Sequence, residues 1–400
     1  MHGDCVVTGL GLVSSLGWNQ ESVARAFRED LTGFAESRAL PGQAVCPVRD
    51  MGDDAPFAFL SSWRFRRYLS RPAFLSVLAG LRAAADGAPE GLPAGCALVG
   101  TASPTLDFAR EKTLPPGDGS LLDALWLLRW LPNTALSALS RLLQIHGPGL
   151  AVGSACASAL DALGEGMLRL RHGMAPACLV ACGDSRLSSG GLMGYAKAST
   201  LSQEPDPLQA SRPFDRQRSG FVPGEGGAAF LLETSAGAEA RGARVLGRLL
   251  GYAATMDAGS LTAPDPDGRH AEAAVRKAIS DAGLDPSDIA WISAHGTGTA
   301  LNDGIEARML ARVFPDPKPP VTALKSWTGH CASACGAVET ALLWHASQIG
   351  ILPRIRSLED PEPNDLRLVQ GTHAPFPKGP GLVENFGFGG QNAALVVEFC

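Results

Sequence analysis

Short apolar runs rich in Val, Leu and Ala recur along the chain, and segments with apolar residues at helical spacing follow them. This alternation is typical of buried strands and covering helices in an α/β protein. Gly, Ser or Pro residues after the early runs mark turns. The predicted strands are residues 6–12, 98–101, 150–153, 178–182, 226–233, 289–294, 321–324 and 394–399, and the predicted helices of the second half are 270–282, 303–313 and 336–349.

Small and polar segments divide this pattern. The stretch TSAGAEARG at 234–242 predicts a boundary between two halves, residues 1–238 and 239–400. The halves have a similar order of elements but no residue-level repeat, so an internal duplication stays an open hypothesis. Residues 35–58 and 202–214 carry scattered Pro, Gly and Asp, and they are predicted to be irregular connections of the kind that often admit substrates.

Length and composition narrow the class of protein. The 400 residues exceed what one hydrophobic core usually organises, and 45% hydrophobic with 18% charged residues is ordinary for a globular protein. Neither a run long enough to span a membrane nor a basic segment ahead of an apolar one is visible, so we expect a cytoplasmic protein. The 34 basic and 40 acidic residues argue against nucleic acid as the main partner.

The cysteines do not indicate a disulfide framework or a zinc site. Their number is nine, which is odd, and they are scattered over the whole chain. Two CxxxC pairs occur, at 178–182 and 331–335, but no set of four ligands gathers around either. We therefore expect no metal and mostly buried thiols.

One cysteine is a candidate nucleophile. The segment GPGLAVGSACASAL at 147–160 predicts a turn, a short strand and a helix that ends at Gly173, with Cys156 at the corner. A helix N-terminus lowers a thiol pKa, so the sequence predicts a reactive Cys156. The alternative is an inert cysteine buried among small residues.

Three further segments carry polar side chains or glycines after predicted strands. They are SAHGTGT at 293–299, LKSWTGH at 324–330 and ENFGFGGQN at 384–392. The first could line a narrow channel with hydroxyls, the second brings a lysine and a histidine together, and the third surrounds an aromatic side chain with glycines. Each also has a purely structural interpretation, as a loop, a lone buried side chain or a tight hairpin.

Together the four segments resemble the β-ketoacyl-acyl-carrier-protein synthases, and specifically the elongating branch of these condensing enzymes. The resemblance runs from end to end and also includes VVTGLGLVSSLG at 6–17, LPNT at 131–134 and SRPFDRQRSGFVPGEG at 211–226. It implies a thiolase-like α/β fold, in which two βαβαβαββ halves form a five-layered α-β-α-β-α core. It also implies decarboxylative Claisen condensation of an enzyme-bound acyl thioester with malonyl-acyl-carrier protein.

The resemblance assigns roles to the catalytic side chains. It implies that Cys156 carries the acyl group and that His295 and His330 donate to the malonyl thioester oxygen. Such donors must be neutral imidazoles, which a nearby ammonium favours. Lys325 is implied to position the second histidine, and Glu339 to support the histidine region or, alternatively, to be an exposed helix carboxylate.

Other residues are implied to bind or gate the substrate. The backbone N–H groups of Cys156 and Phe388 would form an oxyanion hole, and Phe388 would be a gate between acyl loading and condensation. Thr297 and Thr299 match threonines that hold the phosphopantetheine arm. That arm arrives on the carrier protein, so no resident cofactor is expected.

An acidic carrier protein is the implied partner, together with a homodimer or a heterodimer with a ketosynthase-like subunit. The segment WRFRRYLSR at 63–71 is a local basic cluster suited to steering an acidic protein. A solvated helix face is the alternative interpretation. The predicted docking residues are Arg64, Arg66, Arg67 and Arg71.

Several positions depart from the housekeeping fatty-acid enzymes. Glu384 and Asn385 replace a usual Asn-Ser pair, Ser103 lies near a position that usually carries a bulky aliphatic residue, and Gln391 replaces Thr. The helix after His330 begins CASACG, and the loop between 108 and 121 is compressed. These departures favour a specialised type II polyketide or polyene pathway over primary fatty-acid elongation.

Two other functions remain as hypotheses. A non-catalytic subunit of the chain-length-factor kind typically loses the nucleophile, whereas Cys156 is retained here together with His295, Lys325 and His330. A degradative thiolase would carry a second catalytic cysteine in a Cys-x-Gly setting near the C-terminus, and Cys400 lacks that setting. Chain length, primer and pathway are not determined by the sequence.

Overall fold

The computed structural model describes residues 4–104, 124–362 and 365–400. The strands are β1 Cys5–Val13, β2 Ala35–Glu36, β3 Ala44–Val45, β4 Ala97–Thr101, β5 Gly149–Ala151, β6 Ala177–Ser185, β7 Glu225–Thr234, β8 Gly247–Met256, β9 Trp291–Ser293, β10 Pro320–Thr322, β11 Ile351–Leu352, β12 Arg367–Leu368, β13 Ala374–Pro375, β14 Gly381–Gly387 and β15 Gln391–Phe399. The α-helices are α1 Gln20–Arg28, α2 Ala55–Ser62, α3 Arg71–Gly87, α4 Thr134–Leu143, α5 Ser158–Arg171, α6 Ser189–Lys197, α7 Ser235–Ala240, α8 Arg269–Asp281, α9 Ala300–Val313, α10 Lys325–Thr328 and α11 Cys335–Gln348.

The central sheet repeats one arrangement twice. Its strand order is β12-β10-β9-β14-β15-β8-β1-β7-β6-β4-β5. In the first half β1 and β7, then β7 and β6, pair antiparallel, whereas β6 and β4, then β4 and β5, pair parallel. The second half has the same directions along β8, β15, β14, β9 and β10. A short antiparallel ladder between β1 and β8 joins the two groups.

Helices form three layers around the two groups of strands. Helix α3 covers β1, β6 and β7 on one outer side, and α8 covers β8 and β15 on the other. Helices α5 and α11 lie between the groups and contact strands of both. The apolar residues accordingly gather into a central core and two outer cores. This α-β-α-β-α arrangement confirms the predicted fold.

Local sequence explains how these elements start and pack. Asn19 and Ser22 form a capping box at the start of α1, which satisfies N–H groups that a helix end leaves free. Gly11 lies on β1 where α3 crosses it, and a Cβ there would lie 2.0 Å from the carbonyl oxygen of Ala79. A glycine at this position therefore allows the helix to approach the sheet closely.

The structure contains every predicted strand and helix within a few residues of its expected bounds. The prediction was wrong at residues 55–58, which begin α2 rather than continue an irregular connection. Asp54 caps that helix and Pro56 occupies its first turn. The compressed loop between 108 and 121 lies outside the described residues. Among the helices described, none combines the length and apolar character that crossing a membrane requires.

Candidate active site

Cys156 lies at a strained corner between β5 and α5. Ala155 immediately before it has φ +50°, a left-handed conformation that residues with a Cβ rarely adopt. The Ser158 hydroxyl fixes the turn, because it accepts from the N–H of Ser154 at 2.8 Å and donates to the carbonyl oxygen of Ala155 at 2.7 Å. The half-buried thiol consequently faces a cavity rather than the helix interior.

His330 is the nearest imidazole to this thiol. Its Nε2 lies 3.1 Å from Cys156 Sγ. The backbone N–H of His330 donates to the carbonyl oxygen of Val222 at 2.7 Å, and the Phe221 ring meets the imidazole edge-on at 5.2 Å. Burial, followed by the charge of Lys325, lowers the pKa of His330 well below its ordinary value. A neutral imidazole is therefore placed to accept a proton from sulfur.

The thiol itself differs from the sequence prediction. Burial raises the pKa of Cys156 to about 11, and this effect outweighs the lowering by the Lys325 ammonium. The prediction of a pKa lowered by the helix N-terminus was wrong, because tertiary packing removes water from the sulfur. In this site the resting nucleophile is a thiol, and it needs a base within hydrogen-bond reach.

His295 follows β9 and has a defined tautomer. Its Nδ1 lies 3.3 Å from Lys325 Nζ and 3.3 Å from Asn385 Nδ2. Both of these nitrogens are donors, so Nδ1 is the acceptor and the imidazole proton resides on Nε2. Burial and then Lys325 lower the pKa of His295 well below its ordinary value. The ring lies 5.5 Å from that of His330, so two neutral imidazoles face the same space.

A buried ion pair supports His295. Lys325 Nζ donates to Glu339 Oε1 at 2.6 Å, and both side chains are inaccessible to solvent. Burial alone would lower the pKa of Lys325, but the Glu339 carboxylate raises it above its ordinary value. Asn385 Nδ2 also donates to Glu339 Oε2 at 3.1 Å. The prediction that Lys325 contacts the second histidine was wrong, because its hydrogen bond goes to His295.

The glycine-rich turn after β14 closes the site. A Cβ at Gly387 would lie only 2.9 Å from the backbone nitrogen of Cys156, so a glycine lets the two chains meet. Phe388 follows, is 40% exposed and lines the cavity, while Gly389 and Gly390 have φ +83° and +71°. These conformations leave the aromatic side chain on a backbone with little steric restriction.

Thr297 and Thr299 lie on the wall of the same cavity. Their hydroxyl oxygens are 3.0 Å apart, and the Thr299 side chain also caps α9 by accepting from the N–H of Asn302. The cavity has a volume of about 540 Å³. It is lined by Cys156, Tyr195, Ala198, Ser199, Thr200, Ser219, Gly220, Phe221, Thr262, Ala263, Pro264, His295, Thr297, Thr299, Ala300, Leu301, Asn302, His330, Phe386, Gly387 and Phe388.

The arginines of the basic cluster are of two kinds, exposed ones and one that forms an ion pair. Arg64, Arg66 and Arg67 are exposed and lie over the rings of neighbouring aromatic side chains. Arg71 instead donates to Glu225 from two guanidinium nitrogens, at 2.9 and 2.5 Å. A carboxylate 154 positions away in the sequence thus already holds Arg71, and its assignment to docking stays a prediction.

Sequence reasoning did not assign a role to several residues at the site. Glu306 accepts from the backbone N–H groups of His295 and Gly296, at 2.6 and 2.9 Å, and it faces the buried Glu384. Asp303 and Glu306 are three positions apart on α9, and two carboxylates at this spacing share one face of the helix. This spacing is the feature of the sequence that could have identified Glu306. Glu384 and Asn385 were noted only as departures, and their roles depend on contacts between distant segments.

The fold and this group of side chains define a thiolase-like protein with a cysteine and two histidines around one cavity. The families described as β-ketoacyl synthase, N-terminal domain, and β-ketoacyl synthase, C-terminal domain, match residues 88–238 and 246–359. The two matches cover more than half of the chain. The chain therefore belongs to the β-ketoacyl synthase family.

Curated relatives have one name. The 3-oxoacyl-[acyl-carrier-protein] synthase 2 of Coxiella burnetii is 30% identical over 411 residues, which cover 98% of both chains. The protein of the same name from Synechocystis sp. is 37% identical over 260 residues. That match covers 64% of this chain and spans 62% of the length of the Synechocystis relative.

Solved structures have a similar fold over the whole length of this chain. A β-ketoacyl synthase from Burkholderia phymatum has a TM-score of 0.90 at 25% identity, with complete coverage of both chains. The ishigamide ketosynthase/chain length factor has a TM-score of 0.88 at 26% identity, again with complete coverage of both.

Proposed function

We propose that this protein is a ketosynthase that condenses a Cys156-bound acyl group with a malonyl thioester delivered by a carrier protein. The observation that carries the proposal is the 3.1 Å contact between Cys156 Sγ and His330 Nε2, beside the donor Nε2–H of His295. A nucleophile with an adjacent base performs acyl transfer, and neutral N–H donors stabilise an enolate oxygen.

Acyl loading uses the contact between Cys156 Sγ and His330 Nε2. His330 Nε2 accepts the Cys156 proton as sulfur attacks the carbonyl carbon of the incoming thioester. The tetrahedral oxyanion lies at the backbone N–H groups of Cys156 and Phe388, which Gly387 brings close together. As the intermediate collapses, the carrier thiolate leaves and takes the proton from His330. The acyl group is then held on Cys156 as a thioester.

Condensation uses both imidazoles. The malonyl thioester loses carbon dioxide, and the electron pair of the broken C–C bond forms an enolate whose oxygen accepts from His295 Nε2–H. The enolate carbon attacks the Cys156 thioester and expels the cysteine thiolate, which takes up a proton from solvent water relayed by His330. Lys325 and Asn385 act as positioning residues, because they hold Nδ1 of His295 as an acceptor.

The partners are part of the proposal. The relatives' names include 3-oxoacyl-[acyl-carrier-protein], and one similar structure is named as a ketosynthase/chain length factor. We assign carrier docking to the exposed Arg64, Arg66 and Arg67, and we expect either a homodimer or a heterodimer with a ketosynthase-like subunit. A cytoplasmic location and a specialised polyketide or polyene pathway stay predictions.

Intact-mass measurement tests the proposal. Incubation with a ladder of acyl-carrier-protein thioesters should add one acyl group, and Cys156→Ala should abolish the adduct. Cys335→Ala is the matched control, because this second thiol lies 3.3 Å from the carbonyl oxygen of Cys156 and outside the cavity lining. An adduct that survives Cys156→Ala, or none with any chain length, would contradict the assignment and favour a non-catalytic subunit.

A further inference from the structure

A charged and phenolic group of side chains lies beside the nucleophile and has no place in the chemistry above. Strands β4 and β6 are parallel neighbours, so their carboxyl ends lie together. Asp184 lies at the end of β6, Arg186 follows it, and Tyr195 lies on α6. After burial and Lys325, the charges that act most on the pKa of the Cys156 thiol are those of Asp184 and Arg186. The group is therefore within electrostatic reach of the sulfur.

The Asp184–Arg186 pair is firmly built. Arg186 Nε and Nη2 lie 3.0 and 3.1 Å from the two Asp184 oxygens. Asp184 is fully buried and also accepts from the Ser333 hydroxyl at 2.6 Å and the Ser333 N–H at 2.9 Å. Arg186 Nη1 points to the carbonyl oxygen of Pro104 at 3.4 Å, so this N–H group is only weakly engaged. The pair is neutral as a whole and retains donor capacity.

Tyr195 offers a free hydroxyl to the cavity. Its ring packs edge-on against Phe221 at 4.9 Å, and it lines the cavity together with Cys156 and His330. Within the described parts of the chain the phenol hydroxyl of Tyr195 makes no hydrogen bond. The Thr200 hydroxyl donates to the backbone carbonyl oxygen of Tyr195 and not to its phenol. Burial, followed by the Cys156 charge, raises the pKa of Tyr195, so its hydroxyl stays protonated and can donate.

A cavity wall that presents the Tyr195 hydroxyl does not suit a saturated alkyl chain. Polar groups removed from water without a partner cost free energy, and a site built to hydrogen-bond an oxygen discriminates strongly against a ligand that lacks it. The Tyr195 phenol is uncharged and lines the cavity, so the donor that it offers suits a neutral acceptor. A ketone or hydroxyl oxygen along the acyl chain fits that capacity.

We propose that Tyr195 is a specificity-determining residue that selects acyl chains bearing a hydrogen-bond-accepting oxygen over saturated chains of the same length. The inference rests on the proposed function, because it requires an acyl group on Cys156. It extends that function by naming the class of acyl chain and the side chain that recognises it.

The initial rate of Cys156 acylation, followed by intact mass, tests this selection. The donors are carrier-protein thioesters of octanoate and of oxo-octanoates with the ketone at successive positions. The wild-type protein should accept at least one oxo chain about five- to tenfold faster than octanoate, which is the size of one net hydrogen bond. Tyr195→Phe keeps the ring and should bring that ratio to about one, with the octanoyl rate within about twofold of the wild type.

A further variant sharpens the result. Tyr252→Phe is the matched control, because its hydroxyl donates to Asp161 at 2.7 Å and it lies outside the cavity lining, so the preference should persist. An oxo preference unchanged in Tyr195→Phe, or equal rates for all chains in the wild type, would overturn the inference while leaving the proposed function standing. No acylation by any donor would instead overturn the proposed function.

Discussion

Lys325 and Glu339 form an ion pair with Nζ 2.6 Å from Oε1, and neither side chain is accessible to solvent. The same ammonium lies 3.3 Å from His295 Nδ1. The pair thus keeps a full positive charge beside an imidazole without exposing either to water. This charge keeps the imidazole neutral, since a second cation so close would be strongly disfavoured.

Removing the Glu339 carboxylate should destabilise the protein, because the Lys325 ammonium then stays buried without a counter-charge. Glu339→Gln leaves Lys325 without a counter-charge, and we expect the free energy of unfolding to fall by about 3 kcal/mol, the scale for a broken buried ion pair. Denaturant titration measures this. Glu165→Gln removes a half-exposed partner of Arg169 one helical turn away and should change the same quantity by less than about 0.5 kcal/mol. Similar losses in both variants would contradict a buried, uncompensated charge.

The two histidines should separate kinetically. His330→Ala removes the group 3.1 Å from Cys156 Sγ, so acyl loading should slow by about 100-fold, the usual scale for a lost general base. His295→Ala should leave loading nearly intact and abolish decarboxylation. Intact mass follows the first step and carbon dioxide release the second. Equal effects of both substitutions on loading would refute the division of roles.

The sequence predicts the strands well where burial is uniform. Strand β6 contains CLVAC at fully buried positions, and its prediction was confirmed. Strand β14 was interpreted as part of a turn, because Glu384 and Asn385 are polar residues at buried positions within it. Polar residues in a sheet core violate the hydrophobic pattern, so pattern reasoning cannot place them.

The residues of the site were predicted from the sequence, but the contacts between them were not. Lys325 is five positions from His330, and the family resemblance implied that these two residues form a pair. Strands β9 and β10 are parallel neighbours in which Thr322 pairs with Ser293, so the chain brings residues 295 and 325 to the same edge of the sheet. The raised pKa of Cys156 had the same origin, since burial of the corner depends on chain segments far from it in the sequence.

The turn after Phe388 offers a test of the gate. Gly389 and Gly283 both have positive φ, +83° and +71°, and a Cβ at either position would meet nothing closer than 3.9 Å. Alanine should therefore cost each site about 1 kcal/mol of stability through backbone conformation alone. Only Gly389→Ala should also slow condensation of preloaded enzyme, because it stiffens the segment that carries Phe388. Equal condensation rates in the two variants, measured at matched stability, would exclude motion of this turn as a gate.

Glu384 and Glu306 form the last testable pair. Both are buried, and each is close enough to the other to share a hydrogen bond when one is protonated. Neither oxygen of Glu384 has another partner among the residues described. Burial and then the Glu306 charge raise the pKa of Glu384 well above its ordinary value, and Lys325 opposes this only partly. Burial raises the pKa of Glu306 to about 7, to which the neighbouring Asp303 also contributes.

Stability should consequently depend on pH through Glu384. The folded protein keeps this proton above pH 4.5 whereas the unfolded chain releases it, so each pH unit from about 5 up to the raised pKa of Glu384 should cost the wild type about 1 kcal/mol. Glu384→Gln carries no such proton, and its free energy of unfolding relative to the wild type should rise steadily over that window. Urea titrations at successive pH values measure the difference, and the exposed Glu21→Gln is the control. A difference that stays constant with pH would show that Glu384 is ionised in the folded protein, and the shared proton would then have to be abandoned.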